Sequence, residues 1–246
     1  MRVPAAGAEL ARARMLPLAP TGFEEVELGD MLELAAYTDA EGAERITAAF
    51  GSSSSAPVEP GWEDRWREFH QPVRAAGLWI GPPWEEPPAG WPAVVVEPGR
   101  AFGTGAHPTT RACIELLGQS ARGSLLDAGC GSGVVAVAAA RLGFAPVLAV
   151  DVDPVAVEVA VDTARRNGVE IEAWAADVLT AELPAVDLVV ANIELHAVES
   201  LLLRRPASCV IASGYLAHET PSAPGWERVE RCELDGWAAD VLRAET

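Results

Sequence analysis

The run Leu125-Leu126-Asp127-Ala128-Gly129-Cys130-Gly131-Ser132-Gly133 restricts the fold more than any other stretch of this 246-residue chain. Two apolar residues and an acid lead into three alternating glycines, and the apolar, helix-forming segment Val134 to Leu142 follows at once. The pattern predicts strand, tight turn and helix. Glycine lets the turn backbone approach a ligand closely, and a helix start offers unpaired N–H groups at the positive end of its dipole. Such a turn receives an anionic group, either a dinucleotide pyrophosphate or the carboxylate of an amino acid.

Spacing separates these two. A dinucleotide turn reads G-x-G-x-x-G, which after Gly129 and Gly131 requires glycine at the position of Val134. The observed acid-x-G-x-G-x-G instead resembles the first motif of class I S-adenosylmethionine (SAM) methyltransferases. Asp151 supports a nucleoside ligand. It ends the next predicted strand, roughly twenty residues after the turn, where a carboxylate accepts hydrogen bonds from ribose hydroxyls. A helix cap is the competing role, but Asp153-Pro154 already supplies the helix start. Asp177 ends the following strand, where it would either face the adenine or close a solvated turn. Asn192 ends the fourth, beside the reactive end of a ligand, where a neutral amide can orient a substrate N–H. His196, one helical turn on, is either a proton acceptor or a plain surface histidine.

Repeated strand–helix units predict a doubly wound, mostly parallel α/β sheet with ligands at the carboxyl strand ends. The strands fall at 146–150, 171–175, 187–191 and 208–212, with a final antiparallel hairpin turning at Asp235-Gly236. Residues 1–56 read as a small α/β domain of ferredoxin-like type, with helices over 6–16 and 40–50 and a hairpin at Gly29-Asp30. The joint Gly51-Ser52-Ser53-Ser54-Ser55-Ala56-Pro57 marks a boundary. A linker over 57–90 follows, with Trp62, Trp66 and Phe69 at helical spacing, and then a catalytic domain over 91–246. Within it, Glu97 to Thr110 is rich in Gly, Thr and His just before the ligand turn. It predicts a loop folded over the ligand and closed by Phe102, with the next helix starting at Pro108 and its first-turn threonines serving free N–H groups.

A net charge of −18 argues against a nucleic-acid backbone as partner and suits either a basic protein partner or simple solubility. All 18 basic residues are arginine, as a genomic base-composition bias would produce. Cys113, Cys130, Cys209 and Cys232 form no C-x-x-C pair and the four histidines are dispersed, so no metal site is expected and the thiols read as reduced. Glu9, Arg12 and Arg14 interrupt any signal-peptide-like run, and no stretch suits a membrane span. The expectation is a cytoplasmic monomer with no membrane partner.

Taken together, PGRAFGTGAHPTT (98–110), LLDAGCGSG, AVDVDP and LVVANI resemble the PrmA family, methyltransferases of large-subunit ribosomal protein eleven. The AFGTG-x-HPTT loop is the specific part, and the resemblance extends through the Trp-rich linker and the small N-terminal domain. It implies SAM-dependent N-methylation of lysine ε-amines and of the N-terminal α-amine of that ribosomal protein, which the N-terminal domain recognises. By motif position the family's SAM contacts fall on Thr110, Gly129, Asp151 and Asn192, with Phe102 and Gly131 as secondary contacts. This chain departs from the family in Ile193-Glu194-Leu195-His196, where a small apolar run is usual. It also has a short connection between Gly214 and Trp226 and an abbreviated Arg204-Arg205-Pro206. Two alternatives stay open: methylation of another protein or a small amine, and a non-catalytic SAM-binding interaction module. Val134 weighs against a third, a nicotinamide oxidoreductase.

Overall fold

The computed structural model describes residues 1–4, 7, 11, 14–15, 18–19, 23–29, 31–36, 38–51, 53–55, 70–99, 101 and 103–245. The chain divides into two compact units, Met1–Glu63 and Asp64–Thr246. The helix expected over 6–16 lies largely outside the described residues, and the aromatic linker helix with Trp62, Trp66 and Phe69 wholly so.

In the first unit, β1 (Arg2–Pro4), β2 (Glu24–Leu28) and β3 (Met31–Ala35) form an antiparallel sheet in the order β1-β3-β2. Leu28 pairs with Met31, so β2 and β3 join through the expected two-residue turn, with Gly29 in the left-handed region at φ 64°. Helix α1 (Ala40–Phe50) begins where the Asp39 carboxylate accepts from Gly42 N at 2.7 Å and stops at Gly51, φ 73°. Leu32, Leu34, Ile46 and Met15 form a core belonging to this unit alone. The sheet order is that of three strands of a ferredoxin-like unit.

The second unit is built on a seven-stranded sheet. Its strands are β7 (Leu125–Ala128), β8 (Val147–Asp151), β9 (Glu172–Ala175), β10 (Leu188–Asn192), β11 (Cys209–Leu216), β12 (Trp226–Leu234) and β13 (Trp237–Ala244). Their order is β12-β13-β11-β10-β7-β8-β9; β9, β8, β7, β10 and β11 are parallel, and β13 runs antiparallel to both its neighbours. The helices are α2 (Pro108–Gln119), α3 (Val134–Arg141), α4 (Pro154–Asn167) and α5 (Leu195–Leu203). The strand period of two sorts the apolar side chains onto opposite faces. Leu125, Val190 and Ile211 join a core with residues of α2, α3 and α4, whereas Leu126, Val189 and Val210 join a second core with Val198, Leu201 and Leu202 of α5. No helix among the described residues is long and apolar enough to cross a membrane.

The structure departs from the sequence reading in two places and agrees with it in a third. The segment 73–90, read as linker, belongs largely to the second unit. There β4 (Val73–Ala75), β5 (Leu78–Gly81) and β6 (Ala93–Val95) make a small sheet, and Ala75, Leu78, Ile80 and Val94 join the core under α2 and α3. The apolar runs Leu78-Trp79-Ile80 and Ala93 to Val96 read as strands in the sequence and are β5 and β6, whereas β4 is too short to show a period of its own. Strand β11 runs to Leu216 rather than stopping at Ala212, because Gly214 (φ 104°) forms a bulge that lets Tyr215 and Leu216 keep pairing with β13. The stretch between Leu216 and Trp226 carries turns and no helix, as its shortness and prolines imply.

Candidate functional site

Ligand-binding crevices of parallel sheets open at the carboxyl ends of the strands, where the helix-bound connections diverge. In this protein the β7–α3 turn occupies that position. Gly129, Gly131 and Gly133 all have positive φ, at 80°, 51° and 76°. A Cβ on Gly129 would sit 2.3 Å from Ile193 Cγ2, and one on Gly133 would sit 2.8 Å from the Ala160 backbone. Glycine is therefore required at both positions by conformation and by space. The turn is fixed to the neighbouring strand by Gly129 N and Cys130 N, which both donate to Val150 O, at 2.8 and 2.9 Å.

Carboxylates organise the turn from beneath. Asp127, fully buried, accepts from Ala136 N at 3.0 Å in the first turn of α3. Burial raises its pKa to about 7 despite that hydrogen bond, and the nearby Asp151 charge adds to the rise. Asp151 accepts from Gly131 N at 2.9 Å through one oxygen and from Asp153 N at 3.0 Å through the other. The capping role belongs to Asp153, whose carboxylate accepts from Val155 N at 2.9 Å. Asp151 therefore supports the glycine turn and keeps further lone pairs directed at the crevice. Part of the helix start is used internally, since Asp127 takes Ala136 N, while Val134 and Val135 at the start of α3 still line the crevice beside the glycine turn.

Across the crevice, Asn192 ends β10 and donates from Nδ2 to Thr110 Oγ1 at 3.3 Å. Thr110 is 1% exposed, on the first turn of α2. The threonines were expected to cap that helix, but His107 does so. Its Nδ1 lies 2.8 Å from Thr109 Oγ1 and 3.4 Å from Thr109 N, and partial burial holds the imidazole below the usual histidine range. Thr110 is thereby left to brace the amide of Asn192. The backbone beyond is pinned by Ile193 N, which donates to Ser213 O at 3.2 Å.

These elements enclose a cavity of 510 Å³ lined by Thr110, Gly129, Gly131, Asp151, Asp177 and Asn192, among others. The sequence-derived cofactor-site residues Thr110, Gly129, Gly131, Asp151, Asp177 and Asn192 thus all line a single crevice, whereas Phe102 lies outside the described residues. Its neighbour Gly103 lines the cavity and accepts a hydrogen bond from Ser132 Oγ, so the Gly-rich loop lies against the ligand turn. Asp177 also closes its own turn, accepting from Leu179 N at 2.8 Å and Thr180 Oγ1 at 3.0 Å. His196 is exposed and does not line the cavity. The sequence reading missed the apolar walls Val152, Val178 and Leu179, and also Glu194. Their only signal is adjacency to Asp151, Asp177 and Asn192, since the side chains follow no motif. The four cysteines are free, and no metal-binding cluster exists among the described residues.

The donor set suits S-adenosylmethionine. Asp151 offers acceptors for a ribose diol, Val152, Val178 and Leu179 offer a slot for a flat base, and the glycine turn with Thr110 and Asn192 offers polar groups for the amino-acid end. A cavity of this size falls in the range that buries a cofactor-sized ligand.

Sheet order, the antiparallel β13 and the acid-led glycine turn together define a class I, Rossmann-like methyltransferase fold, whose cofactor is S-adenosylmethionine. The profile of the ribosomal protein L11 methyltransferase (PrmA) family matches residues 25–241. The chain belongs to that family. It is 39% identical over 203 residues to the ribosomal protein L11 methyltransferase of Pelotomaculum thermopropionicum, a match covering 75% of this chain and 66% of that protein. It is 42% identical over 192 residues to the Azotobacter vinelandii protein of the same name, covering 72% and 65%. The chain thus spans about two thirds of the length of these relatives. In fold it is similar to the crystal structure of a ribosomal protein L11 methylase from Lactobacillus delbrueckii subsp. bulgaricus, at TM-score 0.65 and 24% identity, over 72% of this chain and all of that one.

Proposed function

We propose that this protein is a SAM-dependent N-methyltransferase that modifies lysine ε-amines and the N-terminal α-amine of ribosomal protein L11. The observation that carries the reading is the convergence of Asp151, the glycine turn, Thr110 and Asn192 on one crevice in a member of the L11 methyltransferase family. When bound, the cofactor supplies an electrophilic methyl group on a sulfonium, which an amine nitrogen takes as the carbon–sulfur bond breaks.

The chain's own residues bind and orient. Asp151 holds the ribose hydroxyls, and the Gly129–Gly131 backbone admits the amino-acid end at close range. Asn192, braced by Thr110, accepts a hydrogen bond from the substrate N–H through its carbonyl oxygen, which aims the nitrogen lone pair. An amide does this without competing as a nucleophile or base. The lysine ammonium must lose its proton before reaction, and the apolar side chains of Ile193 and Ala197 beside Asn192 favour the neutral amine by desolvation. Phe102 and Asp177 complete the proposed cofactor contacts. The small N-terminal domain, residues 1–56, recognises the substrate protein, and the monomer works in the cytoplasm, where ribosomal proteins are made.

The test is the intact mass of purified L11 after incubation with this protein and SAM. Mass gains in whole methyl increments are expected, with at least about a hundredfold loss of rate in Asp151→Ala, whose cofactor affinity falls. An unchanged L11 mass, with cofactor binding intact by calorimetry, would refute the substrate assignment.

A further inference from the structure

We infer that Glu194 is the docking carboxylate for the substrate's cationic amine, an inference that rests on the amine-methylating reading above. Glu194 follows Asn192 by two residues and lines the same cavity, yet its side chain is exposed, which places it at the mouth. It occupies the N-cap position of α5, where the short side chains of Ser, Thr, Asp and Asn accept from first-turn N–H groups; the longer Glu194 makes no such bond, so its carboxylate is not used by the helix. Among the described residues its carboxylate has no hydrogen-bond partner and no ion pair.

The other acids of the cavity are already engaged. Asp127 accepts from Ala136 N, Asp151 from Gly131 N and Asp153 N, and Asp177 from Leu179 N and Thr180 Oγ1. No described cavity-lining residue is a lysine, arginine or histidine. An uncommitted anion at the entrance, with no internal cation to answer it, is complementary to a ligand that arrives positively charged. A primary ammonium on a flexible chain fits that description. The cofactor also carries positive charge, but its binding groups lie deeper, on the glycine turn and Asp151. Docked at Glu194, the ammonium remains in contact with water, to which its proton leaves before the neutral amine moves on to Asn192. The carboxylate therefore raises occupancy of the mouth and leaves the later steps to Asn192.

The experiment titrates n-butylammonium into the 246-residue chain saturated with S-adenosylhomocysteine, read by NMR chemical shifts, for wild type, Glu194→Gln and Glu194→Asp. Saturable binding is expected in wild type, about fivefold weaker in E194Q and largely restored in E194D, the loss typical of one partly exposed ion pair. Binding of S-adenosylhomocysteine stays equal in all three. In methyl transfer, E194Q raises KM for the amine about fivefold and changes kcat less than twofold. Equal n-butylammonium affinity in wild type and E194Q, or no binding to wild type, overturns the inference. So does an E194Q defect in the affinity for SAM relative to S-adenosylhomocysteine, which would assign the carboxylate to the cofactor's sulfonium. Failure of L11 methylation alone, with ammonium docking intact and sensitive to Glu194, would refute the substrate and leave the docking site standing.

Discussion

Asp127 carries the sharpest consequence at the scale of single residues. The sequence marks it only as the acid before the glycines, whereas the fold buries it completely beneath α3 with Ala136 N as its hydrogen-bond donor. Its pKa rises from 3.8 to about 7, so between those pH values the folded protein holds a proton that the unfolded chain has released. Stability contributed by this group is therefore present at low pH and is lost as pH rises toward 7. Asp127→Asn keeps an acceptor for Ala136 N and removes the titration. Thermal melts from pH 4.5 to 7.5 should show the Tm of the variant gaining on wild type as pH rises; parallel curves would contradict the burial argument. Asn192 illustrates the opposite case. A polar amide at a strand end was legible as a candidate, but its brace, Thr110, sits far off in sequence and was singled out by motif resemblance alone.

At the scale of elements, the strands β7 to β10 and the helices between them were legible because each pairs an apolar run with its own stop: a glycine, an aspartate, an asparagine or a proline. Gly168 ends α4 at φ 62° and Asp153-Pro154 starts it, as the residues imply. The last residue of α4 does something no local pattern shows. Asn167 is 6% exposed; its Oδ1 accepts from Val95 N at 2.7 Å, and its Nδ2 donates to Val95 O at 2.8 Å and Thr163 O at 2.8 Å. One side-chain amide thus acts as a strand partner for β6 and ties the small sheet to α4. Asn167→Ala should cost about 2–3 kcal/mol in denaturant unfolding, since it orphans buried backbone groups, while leaving the affinity for S-adenosylhomocysteine unchanged. A cost under about 0.5 kcal/mol would show the strap to be dispensable. The β11–β13 region has a comparable clamp. Arg231 donates to both oxygens of buried Asp240, at 2.8 and 3.0 Å, Tyr215 Oη donates to the same carboxylate at 2.9 Å, and Arg231 also reaches Ala217 O and Glu219 O. It fastens the short connection that stands where a helix could have been.

At the scale of the whole molecule, charge is the property that composition alone settles. A formal charge of −18 on 246 residues makes the folded state repel itself, and salt screens that repulsion over about 10 Å at 0.1 M. Raising NaCl from about 10 to 300 mM should therefore increase Tm by several degrees; a flat or falling Tm would mean that specific ion pairs outweigh the net field. The sequence by itself determined the alternation of strands and helices, the acid-led glycine turn and the strand-end residues Asp151, Asp177 and Asn192, because each depends on neighbours within a few positions. The tertiary structure alone decided which strands lie side by side, that residues 73–81 join the second unit's core, and that His107 rather than a threonine caps α2. It alone left Glu194 uncommitted at the mouth of the cavity. Those outcomes depend on packing and hydrogen bonding between segments tens of residues apart, which no local periodicity encodes.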